Sequence, residues 1–185
     1  MKLKIFLVTA VCTVAALAIV AGICLYHYIG IPKSVGEKEY KYRTEKISVE
    51  YNGISLYGKA LVPVGESGQK FKTVIYAHGA NSNYKSDMTT LKSLAESGIA
   101  CYTFDFYGWT SRSTGPKGTE WFKGTDMRDN DAYVNKVLLQ SEDLNAVIEK
   151  VKTFDFVDTD NIFLLGSSMG GVTVATCATT RSEER

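Results

Sequence analysis

The pentapeptide Gly166-Ser167-Ser168-Met169-Gly170 sets a serine between glycines at minus two and plus two. That spacing suits a nucleophile presented on a tight turn between a strand and a helix, where a side chain at either flanking position would collide as the two elements approach. Gly171 gives the helix further room to pack. A serine hydroxyl attacks a carbonyl only when an adjacent base removes its proton, and the developing oxyanion needs two backbone N–H donors. Met169, the residue after the serine, offers one by position. The second belongs to a loop after an earlier strand, and His78-Gly79-Ala80 follows TVIYA, which makes Ala80 the candidate. Taken alone, His78-Gly79-Ala80 reads equally as a strand-ending turn. A phosphate-cradling loop is the competing reading of the glycines, but no P-loop lysine follows them and no G-x-G-x-x-G occurs. The base is the open question, because the chain has only His27 and His78.

The elements that must position these residues are legible around them. NIFLL is a continuous apolar run of strand length just before the serine, and a helix is expected from Met169. TVIYAH is a short β-branched strand ending at His78-Gly79, and IACYTFDF is another buried strand. Between them, Asp87 to Ser97 has helical periodicity in Met88, Leu91, Leu94 and Ala95, stopped by Gly98. Ser141 to Lys152 reads as an amphipathic helix with acids in its first turn and lysines in its last, as the helix dipole favours. Tyr107 to about Lys136 is polar, partly aromatic and reads as a long loop. In it Trp121 and Phe122 either line an acyl or aromatic pocket or pack the loop onto the domain. Asp126, Asp129 and Asp131 lack EF-hand spacing and read as solvated. Upstream, EKISVEYNGISLYGKALVPV forms two alternating segments joined by Asn52-Gly53, a hairpin signal because both turn residues accept positive φ. Strands alternating with helices predict an α/β fold with a mostly parallel sheet covered on both faces and entered through an antiparallel hairpin. Sites in such sheets lie at the carboxyl ends of the strands, where His78 and Ser168 both fall.

Four motifs in order, VIYAHGANSN, then FDFYG with Ser111-Arg112-Ser113 and Gly115, then EDLNAVIEKV, then DTDNIFLLGSSMGG, resemble the α/β-hydrolase superfamily. The resemblance is to its monoacylglycerol-lipase-like, feruloyl-esterase-like and serine-aminopeptidase-like branch, and it runs from Glu45 to Thr180. It implies that Ser168 is the nucleophile, that Met169 and Ala80 donate the oxyanion-hole N–H groups, and that Gly79, Gly166, Gly170 and Gly171 support the motifs. It also implies that His78 is a structural member of the oxyanion loop and Asp105 a loop-organising carboxylate. Substrates would be small esters or short peptides, with no cofactor and no metal. One departure concerns the loop after Asp105, where Trp109 and Thr110 follow Gly108 in place of a second glycine.

In that superfamily the acid and the histidine follow the serine along the chain. Only 17 residues follow Ser168, none of them histidine, and their acids, Glu183 and Glu184, sit on the helix that leads away from the serine. For His78 to act as base it would have to reach Ser168 Oγ while oriented by a third group, which a place in the oxyanion loop opposes. The expectation is therefore an N-terminal half of the fold, residues 42–185, truncated after the nucleophile elbow and inactive alone, with NIFLL at the sheet edge beside TVIYA. A non-catalytic remnant or interaction module is the alternative of another class.

Charge and hydropathy patterning bound the partners. With 21 Lys and Arg against 20 Asp and Glu, a net charge of +1 gives no electrostatic support for nucleic-acid binding. Ile5 to Ile31 contains no charged residue and exceeds the roughly 20 residues that cross a hydrocarbon core. Residues 1–32 thus read as a transmembrane anchor and 33–41 as a linker. A cleaved signal peptide competes, through basic Lys2 and Lys4 and the small-residue Ala16-Leu17-Ala18, but the apolar run continues well past Ala18. The reading is a single-pass protein of the cell membrane with its domain outside the cytoplasm, Lys2 and Lys4 holding the N-side in against Lys33, Lys38, Lys41, Arg43 and Lys46. Cys12, Cys24, Cys101 and Cys177 show neither disulfide-framework nor zinc spacing.

Overall fold

The computed structural model describes residues 39–122 and 128–183. The expected anchor, residues 1–32, and most of the expected linker lie outside the described residues, as do Asp126 and Glu184. Among the described residues no helix is long and apolar enough to cross a membrane.

Among the described residues the elements follow in the order β1 (Tyr42–Lys46), β2 (Val49–Tyr51), β3 (Ile54–Leu56), β4 (Gly58–Pro63), β5 (Phe71–Ala77), α1 (Met88–Glu96), β6 (Ala100–Phe104), α2 (Asn130–Val151), β7 (Val157–Gly166) and α3 (Met169–Glu183). The main sheet has the order β1-β4-β6-β5-β7. Its first two pairings are antiparallel, and the β6/β5 and β5/β7 pairings are parallel. The expected hairpin is present, with Tyr51 opposite Ile54 and positive φ at Asn52 and Gly53. It is a separate two-stranded ribbon, β2 with β3, while β1 and β4 pair lower down in the main sheet.

Side chains of the parallel strands alternate between two cores. Ile75, Phe104 and Val157 pack with Leu144, Val147, Ile148 and Val151 of α2. On the other face Val74, Tyr76 and Cys101 meet Leu91 and Ala95 of α1. Each fully buried Leu or Ile contributes roughly 1.5–3 kcal/mol. Gly98, at φ +86, ends α1 where the periodicity predicts.

The long loop is shorter than the sequence suggests. Helix α2 begins at Asn130, and the Asp129 carboxylate caps it by accepting the N–H groups of Asp131 and Ala132 at 3.0 and 3.2 Å. Asp129 and Asp131 are therefore helix-start residues, and Glu142 and Asp143 stand in mid-helix and not in a first turn. The first half of α2 escapes a periodicity reading because polar Lys136, Gln140, Ser141 and Asp143 are buried while Val134 and Leu138 are exposed.

β7 is the last strand of the sheet, beside β5 as the resemblance implies. Ile162 and Leu164 pack inward with Val174 of α3. Phe163 and Leu165 point to the opposite face and stay 51% and 39% exposed.

Candidate active site

Ser168 occupies the turn between β7 and α3 with φ 52°, in the left-handed region, and its side chain is exposed. For a residue with a Cβ that conformation costs about 1–3 kcal/mol and persists only where neighbours over-determine it. Here they do. Ser167 N–H donates to Ala77 O at 3.1 Å, and Gly170 and Gly171 N–H donate to Ser167 O and Ser168 O, each at 2.9 Å. The flanking glycines are sterically required. A Cβ on Gly166 would lie 2.4 Å from Gly170 O, and one on Gly170 would lie 2.2 Å from Ala77 O and 2.5 Å from His78 O.

The loop after β5 lies against this turn. A Cβ on Gly79 would stand 3.1 Å from Ser167 O and 3.3 Å from Ser168 Cβ. Ser168, Gly79, Gly166 and Gly170 are thus brought to one point, with Ala80 next along the loop. Met169 opens α3, and the N–H of a first helical residue has no intrahelical acceptor. Its side chain is buried.

His78 is fully buried. The N–H of Phe106 can only donate, so His78 Nε2 accepts it, at 3.3 Å. Nδ1 then carries the proton and donates to Gly79 O at 2.7 Å. Both ring nitrogens are engaged away from Ser168, and burial pushes the imidazole pKa below its ordinary 6.5. The ring meets Phe106 edge-on at 5.0 Å. This is a neutral imidazole holding the backbone of the 78–80 loop to the end of β6.

Asp105 does similar work one strand over. Buried at the end of β6, its Oδ1 accepts Tyr84 N–H at 2.7 Å, and its Oδ2 accepts Thr110 Oγ1 at 3.0 Å and Arg112 Nε at 2.5 Å. Ser113 Oγ donates to its carbonyl at 2.6 Å. The carboxylate hydrogen bond holds the Arg112 guanidinium even more firmly charged than usual, beside the neighbouring rings of Tyr57 and Tyr84. The loop that lacks its second glycine is therefore organised by side chains around one carboxylate.

Three groups were not singled out by sequence. Tyr76 Oη donates to the Asp87 carboxylate at 2.6 Å, and burial raises its pKa to about 12. Lys136 is buried with its ammonium over the rings of Trp109 and Phe122, and burial lowers its pKa. Asp143, in mid-α2, accepts Tyr107 N–H at 2.8 Å and the Tyr51 hydroxyl, and burial raises its pKa to about 7. For Lys136 and Asp143, a charged residue three or four positions from apolar ones on one helix face is the only sequence trace. Phe122 is buried in the core beside Trp109 with its N–H donating to Gly108 O at 3.0 Å, and Trp121 packs on Tyr107, which fastens the loop to the domain. Glu183 stands at the far end of α3, about 20 Å of helix from Ser168.

A family profile described as Serine aminopeptidase, S33, matches residues 68–185, which contain both the 78–80 loop and the elbow. The chain belongs to that family of α/β-hydrolases. No curated protein matches the sequence. Among solved structures, dienelactone hydrolase from Anabaena variabilis is similar over 78% of this chain and 60% of its own length, with 20% identity and a TM-score of 0.57. Acetyl xylan esterase 1 from a Thermoanaerobacterium species aligns over 80% of this chain and 46% of its own, with 20% identity and a TM-score of 0.55. Est1E from Butyrivibrio proteoclasticus aligns over 74% and 46%, with 20% identity and a TM-score of 0.52. At that identity the likeness establishes the fold. The chain spans 60% or less of the length of each of these structures.

Proposed function

We propose that the protein is a serine hydrolase acting on carboxylic esters through an acyl-enzyme on Ser168. In this reading Ser168 Oγ attacks the ester carbonyl, its proton leaves with the alcohol, and water then releases the acid. The N–H groups of Met169 and Ala80 stabilise the oxyanion. The observation that carries the reading is the left-handed, exposed Ser168 with Gly79 packed against its Cβ position. The esterase neighbours favour esters, while the family description favours peptide or amide bonds as the second substrate class.

The base is the missing part. Among the described residues the one imidazole is His78, and both its nitrogens are occupied; His27 lies outside them. We infer that the base is not among the described residues, and that the chain alone turns over no ester. Loss of a triad base costs on the order of 10⁴-fold or more in rate. The chain alone should show negligible fluorophosphonate labelling, and supplying the C-terminal half of a relative in frame should restore it, with Ser168→Ala abolishing the restored signal. Strong labelling of the chain alone would overturn the missing base. A folded fusion that stays unlabelled would remove the hydrolase reading.

The uncharged run from Ile5 to Ile31 supports a membrane anchor, and Lys2 and Lys4 support placing the domain outside the cytoplasm. The full chain should remain with membranes after alkaline carbonate washing, and a chain starting at Lys33 should not. Recovery in the soluble fraction with the N-terminus trimmed near Ala18 would establish a signal peptide instead.

A further inference from the structure

Away from Ser168, a cleft of about 160 Å³ opens between the β2–β3 hairpin, the loop after β6 and the middle of α2. None of its lining residues belongs to β5, β7 or α3. Its wall is largely carbon, from the rings of Tyr51, Tyr107 and Trp121 with Ile54, Pro116 and Leu139. Tyr107 and Trp121 are inclined by 60° with centroids 5.5 Å apart, so they line the cleft with two non-parallel faces.

Charge is arranged around this wall. On the α2 side Glu142 stands exposed at the rim and Asp143 is buried beneath it, bonded to Tyr51 and to Tyr107 N–H. Across from them Lys117 holds its ammonium 4.5 Å from the centroid of the Trp121 ring. Its backbone N–H donates to Tyr107 Oη at 2.6 Å, which fixes the backbone of the residue beside the rings. An ammonium from the protein's own chain therefore already rests on the aromatic wall.

We propose that this cleft binds a small organic cation, a quaternary ammonium group above all, and that Lys117 is its tethered competitor. Aromatic faces attract cations through their quadrupoles, more strongly where water is thin. A quaternary ammonium has no N–H donors, so entering a carbon-lined cleft leaves none unpaired. A primary ammonium has three donors and would find chiefly the rim carboxylate as acceptor. An anion of the same size would face the Glu142 carboxylate. Lys117 is exposed and on a flexible stem, so it yields the ring at little cost while opposing the ligand by like charge. The proposal stands on different residues from the hydrolase reading, and either survives failure of the other.

The test uses the full chain in maltoside micelles, whose headgroup carries no ammonium, titrated with choline and with its neutral isostere 3,3-dimethyl-1-butanol. The indole N–H of Trp121 has no hydrogen-bond partner among the described residues, so its proton resonance reports the ring environment, and Trp109 supplies the only other indole. Choline should shift the Trp121 signal and bind about fivefold more tightly than the alcohol, with Trp121→Leu weakening it about tenfold. Glu142→Gln should weaken choline about threefold, and Lys117→Gln should tighten it about threefold. Both last residues are exposed, so these variants keep the fold even where Trp121→Leu does not. Equal affinity for the two probes, a Lys117→Gln variant that binds no better, or no Trp121 shift at millimolar choline would each overturn the proposal.

Discussion

Replacing Gly170 with alanine should be among the most damaging single-methyl changes in the molecule. The new Cβ would sit 2.2 Å from Ala77 O and 2.5 Å from His78 O, and both are backbone atoms at the end of β5. No rotamer change relieves such a contact, so β5 and α3 must move apart. That separation breaks the packing of Gly79 on Ser168 and loosens the Ser167 to Ala77 hydrogen bond. Overpacking typically costs about 1–3 kcal/mol, and a clash with two carbonyl oxygens belongs at or above the upper end. Gly171→Ala is the matched control. Its Cβ would lie 3.3 Å from Gly166 O, a tight contact that offsets most of the roughly 1 kcal/mol alanine gains over glycine in a helix. Urea unfolding of the full chain, followed by tryptophan fluorescence, should show a large fall in midpoint for Gly170→Ala and little change for Gly171→Ala. A Gly166→Ala/Gly170→Ala double variant should cost less than the two singles together, because one displacement of α3 accommodates both methyls. Gly170→Ala as stable as wild type would mean the elbow is not held against β5 as described.

That steric demand explains why the elbow is legible in the sequence. A strand, a left-handed serine and a helix in direct succession leave room only for glycine at two fixed positions, so the requirement is local and the spacing records it. The Asn52-Gly53 turn and the Gly98 helix stop are legible for the same reason, being single residues at positive φ. Helix α2 is different. Gln140 is buried because its Oε1 accepts Thr173 Oγ1 at 3.0 Å, and Ser141 because its hydroxyl returns to Val137 O at 2.8 Å. Those partners lie on α3 and one turn back, so no hydrophobic period can reveal the face that packs. The division of β1–β4 into a ladder and a ribbon also depends on long-range contact, with the tip tied to the later loop through Ser55 and Thr114. His78 shows the limit most clearly: its type suggests a base, and only the positions of Phe106 N and Gly79 O show that its nitrogens are spent.

Asp143 should make the stability of the domain depend on pH in a way that one isosteric substitution removes. Burial raises its carboxyl from an ordinary 3.8 to about 7, against the smaller opposing effects of the Tyr51 and Tyr107 hydrogen bonds. A folded pKa above the unfolded one contributes stability that is complete below about pH 4 and is lost as pH rises through about 7. At 1.36 kcal/mol per pKa unit, the ionised fold bears a cost on the order of 4 kcal/mol at alkaline pH. His78 acts in the opposite sense, because its depressed pKa removes stability as pH falls below 6.5. A single pH profile would mix the two, whereas the difference between wild type and Asp143→Asn cancels His78. Asparagine keeps both contacts: its carbonyl accepts Tyr107 N–H, and its amide donates to Tyr51 Oη in place of the reversed bond. Urea unfolding should therefore find the two proteins close in stability at about pH 4 and Asp143→Asn the more stable by a few kcal/mol at about pH 8.5. Asp143→Leu should be the weaker at the lower pH, since it leaves Tyr107 N–H without an acceptor. Parallel profiles for wild type and Asp143→Asn across that range would show that the carboxyl stays ionised in the fold, with water or a cation reaching it from the cleft beside Tyr51.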